Sequence, residues 1–184
     1  MPERDAEAFR ELYHRYHAAV CRFLAARASA AQVEDLAAET FLIAWRRAGS
    51  VPDMQLPWLL HVARNCLAND RRTVQRAGAL VDHLGHVACF DAPGADGDLE
   101  RREQQRAVLE GLAGLSALDR ELLLLHLWDD LRPREIAVVL DLSAIVVRAR
   151  LSRALRRLQK TVGEQLADPS PPVHIESLTA GRAL

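Results

Sequence analysis

The feature that most constrains the fold is a pair of short amphipathic helices near the end of the chain. The segment begins REIAVVLDLS at Arg134 and continues as AIVVRARLSRALRRLQK. Between Ser143 and Gly163 the chain has five arginines, one lysine and no acidic residue. Apolar residues recur at helical spacing through the same stretch, which predicts one buried face and one basic face. The pattern predicts a helix-turn-helix whose second helix, capped by Ser143, enters a DNA groove.

This positive charge is local, because the chain as a whole is nearly neutral. Its 24 basic and 25 acidic residues give a net charge of −1 at pH 7. A basic stripe on one helix is nevertheless sufficient to meet phosphate groups. No apolar run is long enough to span a membrane, and the charged, amphipathic start is unlike a signal peptide. The three cysteines are odd in number and widely spaced, so the sequence does not predict a disulfide framework. We therefore expect a reduced, cytoplasmic protein.

The pattern along the chain predicts an all-α fold of two small helical domains joined by a flexible linker. Helices are predicted over about residues 6–27, 32–48 and 57–76. Residues 78–100 lose this periodicity and are rich in glycine and acidic residues, which is typical of a linker. A second helical unit is predicted to begin near Leu99 to Arg102. In this unit Ser116 is a candidate N-cap, Pro133 opens the first helix of the helix-turn-helix and Asp141 occupies its turn. The tail from residue 166 has prolines and no periodicity.

Three sequence blocks in this order resemble the extracytoplasmic-function (group IV) sigma factors of bacterial RNA polymerase. VEDLAAETFLIAWRR is similar to the core-polymerase-binding helix of that family, and WLLHVARNCLANDRR to its promoter-melting helix. The stretch from LSALDRELLLLHLWDD to the end of the basic helix is similar to its minus-thirty-five-reading domain. The resemblance implies a region two-like domain at 1–77, a linker at 78–104, a region four-like domain at 105–165 and a tail at 166–184.

The resemblance also implies which helix faces carry the function. The predicted face for core polymerase comprises Asp35, Glu39, Leu42 and Arg46. Its exposed leucine among charged residues is typical of a partner surface, although a single exposed leucine is also compatible with an ordinary solvated face.

The third predicted helix has a polar face suited to single-stranded minus-ten DNA. Arginines hold phosphates there and an asparagine can read a base edge, so Asn65 is the preferred base contact. The predicted minus-ten residues are His61, Arg64, Asn65, Arg71 and Arg72. The loop from Gly49 to Leu56 resembles the specificity loop of the family, and the alternative for the whole face is a solvated polar surface.

The basic helix has side chains suited to duplex minus-thirty-five DNA. Arg148, Ser152 and Arg153 are predicted to reach bases, while the neighbouring arginines meet phosphates or pair with acids such as Glu135. The predicted minus-thirty-five residues are Ser143, Arg148, Arg150, Ser152, Arg153 and Arg156. The implied partners are core RNA polymerase, promoter DNA and an anti-sigma factor, with no membrane insertion, cofactor, metal or enzymatic activity expected.

The chain departs from the family pattern at four positions. Ala38 replaces the usual glutamine of the core-binding helix, and Asp141 replaces the glycine of the helix-turn-helix turn. Ile145 and Val146 replace a Gly-Thr pair at the start of the recognition helix, which removes a phosphate-binding hydroxyl. Aspartate tolerates a left-handed backbone, so the turn can still form. These changes affect promoter affinity more than the fold.

Other interpretations stay open on the sequence alone. One is a stand-alone helix-turn-helix regulator that binds a palindrome as a dimer, and another is a sigma-like protein that binds polymerase without activating promoters. His83, His86 and Cys89 in the linker offer three zinc ligands at a spacing unlike standard structural zinc sites, which would suit a metal-sensing switch. His14, His17 and Cys21 share part of one helix face, for which helix packing is the favoured explanation.

Overall fold

The computed structural model describes residues 3–47, 50–76 and 99–167, and this part of the chain is entirely helical apart from short turns. The all-α prediction is therefore confirmed. The helices are α1 (Glu3–Ala25), α2 (Ala30–Arg46), α3 (Gln55–Arg76), α4 (Leu99–Ala113), α5 (Ala117–Leu127), α6 (Pro133–Leu140) and α7 (Ala144–Ala167). None of these described helices is long and apolar enough to cross a membrane.

Helices α1, α2 and α3 pack on one another as the first domain. Most of the apolar residues predicted to face inward do so, and Phe23, Leu24 and Leu59 are completely buried. Tyr13, predicted on the same inward face of α1, is 37% exposed instead. Aromatic rings extend this core toward the start of α1, where Phe9 packs edge-on against Phe41 and Trp45. Pro57 lies in the first turn of α3, where a missing backbone N–H costs no helical hydrogen bond.

The helices of the second domain, α4 to α7, have the capping residues that the sequence predicted. Ser116 caps α5 by accepting a hydrogen bond from the Asp119 N–H, and Ser143 caps α7 by accepting one from the Val146 N–H. Asp141 ends α6 in the left-handed conformation, with φ 54° and ψ 49°. This residue reverses the chain between the two helices of the motif, so the tight turn forms without glycine.

One element boundary agrees with the prediction and one differs from it. Helix α4 begins at Leu99, within the predicted start near Leu99 to Arg102, and its run LERREQQR is composed of good helix formers. Helix α7 continues to Ala167, beyond the glycine at position 163, since a single glycine costs only about 1 kcal/mol in a helix interior. Most of the predicted linker, including His83, His86 and Cys89, lies outside the described residues, as does most of the tail.

The two domains pack against each other, and no feature of the sequence pattern predicted this contact. Helix α3 of the first domain lies against α6 of the second, and the buried apolar residues of both domains form one continuous cluster. A buried ion pair joins the Arg27 guanidinium to Asp129, with 2.9 Å between Nη2 and Oδ2. We call this packing of the two domains the closed arrangement, and the candidate functional faces are described in it below.

Candidate nucleic-acid and polymerase interfaces

The outer face of α7 is a basic surface open to solvent. Val147, Leu151 and Ala154 are buried beneath it, as their spacing predicted. The exposed side chains on the outer face include Arg148, Ser152, Arg153 and Arg156. Arg153 donates from Nε to the carbonyl of Ala149, and Arg156 makes the equivalent bond to Ser152. A guanidinium has five N–H donors, so these bonds orient the arginines and leave donors for a ligand.

Arg150 differs from the other arginines of α7. Its Nε lies 3.0 Å from Oδ1 of Asp119, and its side chain is only 32% exposed. A second donor, Nη2, lies 3.5 Å from the hydroxyl of Ser116, the capping residue of α5. The sequence anticipated a pairing of some arginines with Glu135, but the Glu135 carboxylate accepts instead from the backbone N–H of Arg132. A phosphate contact by Arg150 would have to compete with Asp119.

The start of α7 is apolar on its exposed side. Ile145 is 71% exposed and Val146 43% exposed. Ser143 is also exposed, and its hydroxyl is used for the cap. The first turn of the recognition helix therefore offers DNA mainly methyl groups, which can contact the thymine methyl but cannot bind a phosphate.

The structure places the predicted core-polymerase residues on one exposed face of α2. Asp35, Glu39, Leu42 and Arg46 are all exposed, while the opposite side of the helix packs into the first domain. Leu42 is 47% exposed between the charged residues. An apolar side chain surrounded by charge is suited to a protein partner, since burial of the leucine supplies affinity and the charges supply orientation.

The predicted minus-ten face of α3 lies at the contact between the domains. The Arg64 guanidinium makes two hydrogen bonds to the carboxylate of Glu121 in α5, at 2.9 and 3.3 Å. Nδ1 of His61 lies 3.1 Å from the backbone carbonyl oxygen of Val139 in α6. A carbonyl can only accept, so Nδ1 carries the proton and Nε2 accepts from the Asn65 amide at 2.9 Å. In the closed arrangement two of the five residues are occupied by the second domain.

The remaining three residues are more accessible. Asn65, Arg71 and Arg72 are exposed. Arg71 donates to the backbone carbonyl of Arg27, and Arg72 donates to that of Ala68. An open groove runs beside Asn65 and Arg72 between α2, α3 and α6, with Glu39 and Trp58 on one side and Leu142 on the other. The structure thus brings together part of the predicted polymerase face and part of the predicted minus-ten face.

Three residues at the domain contact were missed by the sequence reasoning. Arg27, Glu121 and Asp129 were not singled out, although Arg27 pairs with Asp129 and Glu121 pairs with Arg64 across the contact between the described parts of the domains. The Arg27 guanidinium also lies 3.9 Å from the centre of the Phe23 ring and donates to the Phe23 carbonyl. Burial raises the pKa of the Asp129 carboxyl, and the nearby Arg27 charge opposes this rise. No periodicity or motif could have paired two residues 102 positions apart in the sequence.

Comparison with known proteins is consistent with this architecture. Residues 105–158 match the family "Sigma-70, region 4". The chain is 36% identical over 137 residues to the probable RNA polymerase sigma factor RfaY of Xanthomonas campestris pv. campestris, covering 71% of this chain but 34% of RfaY. It is 29% identical over 166 residues to the ECF RNA polymerase sigma factor SigL of Mycobacterium tuberculosis, covering 87% of this chain and 92% of SigL. The chain thus spans about a third of RfaY and nearly all of SigL.

Two solved structures have the same fold. The sigma factor RpoE of Bartonella quintana, crystallised with the anti-sigma factor NepR, aligns with a TM-score of 0.60 and 22% identity, covering 84% of this chain and 96% of RpoE. CnrH, in complex with the cytosolic domain of CnrY, aligns with a TM-score of 0.55 and 22% identity, covering 87% of this chain and 95% of CnrH.

Two helical domains, the second with a helix-turn-helix of the sigma-70 region 4 family, define a class of DNA-binding transcription factor. Residues 105–158 thus belong to the sigma-70 region 4 family, and the chain as a whole is similar to extracytoplasmic-function RNA polymerase sigma factors.

Proposed function

We propose that this chain binds core RNA polymerase, directs it to a two-part promoter and helps to open the DNA, and that it forms no phosphodiester bonds itself. The observation that carries the proposal is the exposed basic face of α7 in a complete helix-turn-helix, within a region 4 match. The protein would act in the cytoplasm, where the polymerase is found. Its role is recognition and positioning, since polymerase supplies the chemistry.

In this proposal the duplex minus-thirty-five element is read by Arg148, Ser152 and Arg153. An arginine bonded to guanine contributes about 1–3 kcal/mol of discrimination, so a few such contacts give only weak binding by one small domain. Polymerase would join the two domains on one DNA and raise their effective concentration. Specific affinity then belongs to the holoenzyme rather than to the free subunit.

Promoter binding requires the two domains to separate. Elements near positions −35 and −10 lie roughly 85 Å apart along B-DNA, at about 3.4 Å per base pair. In the closed arrangement the minus-ten residue His61 lies 3.1 Å from Val139 in the second domain. The 22 residues that join α3 to α4, from 77 to 98, can span at most about 75 Å when extended. Together with the width of each domain, this length is sufficient for both elements.

Opening also has an energetic requirement. Arg27 and Asp129 are buried at the contact, with side-chain exposures of 9% and 3%. Separation returns both charges to water, so its cost is smaller than the roughly 3–5 kcal/mol of leaving one buried partner unpaired. We propose that polymerase binding at the α2 face, which includes Asp35 and Leu42, supplies this energy.

We also propose an anti-sigma partner. RpoE and CnrH, two solved structures with this fold, are in complexes with the anti-sigma factor NepR and with the cytosolic domain of CnrY, respectively. The groove between α2, α3 and α6 is one surface on which such a partner would contact both domains at once. A partner there would hold the closed arrangement and cover Asn65.

The direct test is run-off transcription with purified core polymerase over promoters from the source genome, including the region upstream of this gene. We expect promoter-specific transcripts that are lost with Asn65→Ala and with Arg153→Ala. Arg106→Ala is the matched control, because Arg106 is exposed on α4, pairs with Glu110 within the same helix and lies on neither predicted DNA face. Transcripts insensitive to both substitutions would contradict the residue assignment.

A second candidate is a sigma-like protein that binds polymerase without activating promoters. The exposed Ile145 and Val146 at the start of α7 favour it, because they replace polar contacts to the DNA backbone. Core binding without transcripts would support this candidate. Binding to a palindromic duplex without any binding to core polymerase would instead support a stand-alone regulator.

A further inference from the structure

Three metal-ligating side chains, none of them a predicted DNA or polymerase residue, come together on the surface of the first domain. His17 and Cys21 lie one turn apart on α1, and Glu34 approaches them from the first part of α2. The ligating nitrogen, sulfur and oxygen atoms all lie within 4.8 Å of one another. We propose that these residues bind a divalent transition-metal ion of the zinc class, with water at the remaining position.

The distances on α1 agree with tetrahedral coordination. Zinc–sulfur and zinc–nitrogen bonds of about 2.3 and 2.0–2.1 Å place the two ligand atoms roughly 3.6 Å apart at a tetrahedral angle. Sγ of Cys21 lies 3.6 Å from Nε2 and 3.8 Å from Nδ1 of His17. The separation of the sulfur and the nitrogen is therefore compatible with one shared ion. Glu34 is exposed, so its flexible side chain can move the final ångström to complete the site.

The imidazole of His17 is held in place by aromatic neighbours. Its ring lies 4.7 Å from the ring of Tyr13 and 5.8 Å from that of Phe41, stacked on the latter at 29°. Phe41 is itself buried in the core. A ligand whose orientation is fixed in the absence of the ion loses little entropy on binding. The same packing that explains His17 as a core-edge residue thus also prepares it as a ligand.

The local electrostatics add to this geometry. Burial raises the pKa of the Cys21 thiol, and the Glu34 carboxylate raises it further. A thiolate beside a carboxylate is unfavourable without a cation, and a bound divalent ion reverses this relation. Nitrogen, sulfur and carboxylate oxygen together suit zinc, and three protein ligands leave one position open.

An ion at this site would connect α1 to α2. Glu34 directly precedes Asp35, the first residue of the predicted polymerase face, so the site lies next to that surface. Metal binding to the folded state stabilises it by an amount set by the ratio of free metal to the dissociation constant. The proposal concerns the first domain alone and does not depend on the promoter-binding role.

The test is titration of the reduced full-length chain with Co²⁺, which reports tetrahedral sites and cobalt–thiolate bonds by absorption, followed by displacement with Zn²⁺. The linker residues are removed as competing ligands in a triple variant, His83→Gln, His86→Gln and Cys89→Ser. We expect both the natural chain and the triple variant to bind one equivalent with a cobalt–thiolate band. Cys21→Ser should lose that band.

Glu34→Gln is a second test, and because Glu34 is exposed this substitution should leave the fold intact. It should weaken Co²⁺ and Zn²⁺ binding about tenfold or more. Loss of a residue that only hydrogen-bonds a metal ligand already has an effect of about that size. A band that survives Cys21→Ser and disappears in the triple variant would overturn the proposal in favour of the linker. Absence of any band in the natural chain, or equal affinities for the natural chain and Glu34→Gln, would also overturn it.

Discussion

The two predicted DNA-binding faces of this protein differ in how accessible they are to a ligand. On α7, Arg148 and Arg153 are exposed, and Arg153 is oriented by a carbonyl of its own helix. On α3, Arg64 and His61 are bonded to groups of the other domain. The minus-thirty-five face is thus open in the closed arrangement, whereas the minus-ten face is partly covered. Under the proposed function, this comparison predicts that the duplex-binding face is preformed and that single-stranded DNA reaches its face only when the domains separate.

Helix α5 explains much of this difference. It directs Glu121 toward Arg64 of the first domain and Asp119 toward Arg150 of the second. Each carboxylate occupies an arginine that was predicted to bind DNA, in the way that a phosphate oxygen would. The rest of the basic face of α7 lies beyond the reach of Asp119. Acidic residues on one short helix therefore engage one arginine of each face, and the backbone carbonyl of Val139 engages a second residue, His61, of the minus-ten face only.

The largest effect is expected from Asp129→Asn, which tests whether the buried pair holds the domains together. The change leaves the Arg27 charge buried without its partner, and this costs about 3–5 kcal/mol in the closed arrangement. We expect the free protein to open, with a larger radius of gyration in solution X-ray scattering. Asp130→Asn is the matched control, because Asp130 is exposed and its left-handed φ of 53° also suits asparagine. Equal radii for the two variants would show that this pair does not maintain closure.

The next largest effect is expected on promoter affinity, and it distinguishes Arg153 from Arg150 on the exposed face of α7. Arg153→Ala should lower the affinity of the holoenzyme for its promoter by roughly tenfold to a hundredfold, since a base contact contributes about 1–3 kcal/mol. Arg150→Ala should have a smaller effect, because Arg150 is already engaged by Asp119. Fluorescence anisotropy with labelled promoter duplex measures both. A larger loss with Arg150→Ala would reverse the assignment.

A smaller effect is expected from Glu121→Gln, which frees Arg64 on the covered face. The pair is partly exposed, at 36% and 22%, so its contribution is at most about 1 kcal/mol. Binding of a single-stranded minus-ten oligonucleotide to the free protein should therefore increase up to about fivefold. Glu164→Gln, which alters an exposed pair with Lys160 on α7, should leave binding unchanged. A decrease with Glu121→Gln would mean that Glu121 positions Arg64 for DNA.

Much of the fold could be predicted because it depends on local patterns. Helical spacing identified the buried faces, Ser116 and Ser143 were recognisable caps, and Asp141 was expected to adopt the left-handed conformation that it has. The domain contact could not be predicted, since it depends on single polar residues far apart in the chain. Arg64 was correctly placed on a polar face, but its partner Glu121 is set by tertiary packing.

The smallest effect concerns the turn that orients the open face. Asp141→Gly removes the side-chain strain of a residue with φ 54°, which costs up to about 1 kcal/mol when aspartate replaces glycine. We expect the melting temperature to rise by about 1–3 °C, given the usual relation for a chain of this size. Calorimetry measures this change. A lower melting temperature would mean that the Asp141 side chain stabilises the turn.

The most direct test of the central claim is the distance between the domains, free and bound to core polymerase. Fluorescent labels on azide-bearing residues at the exposed positions Ala18 and Gln159 report it by energy transfer without using the natural cysteines. We predict high transfer in the free protein and a large loss of transfer in the holoenzyme, because the two promoter elements lie roughly 85 Å apart. Equally high transfer in a holoenzyme that makes promoter-specific transcripts would contradict the claim that promoter recognition requires the domains to open.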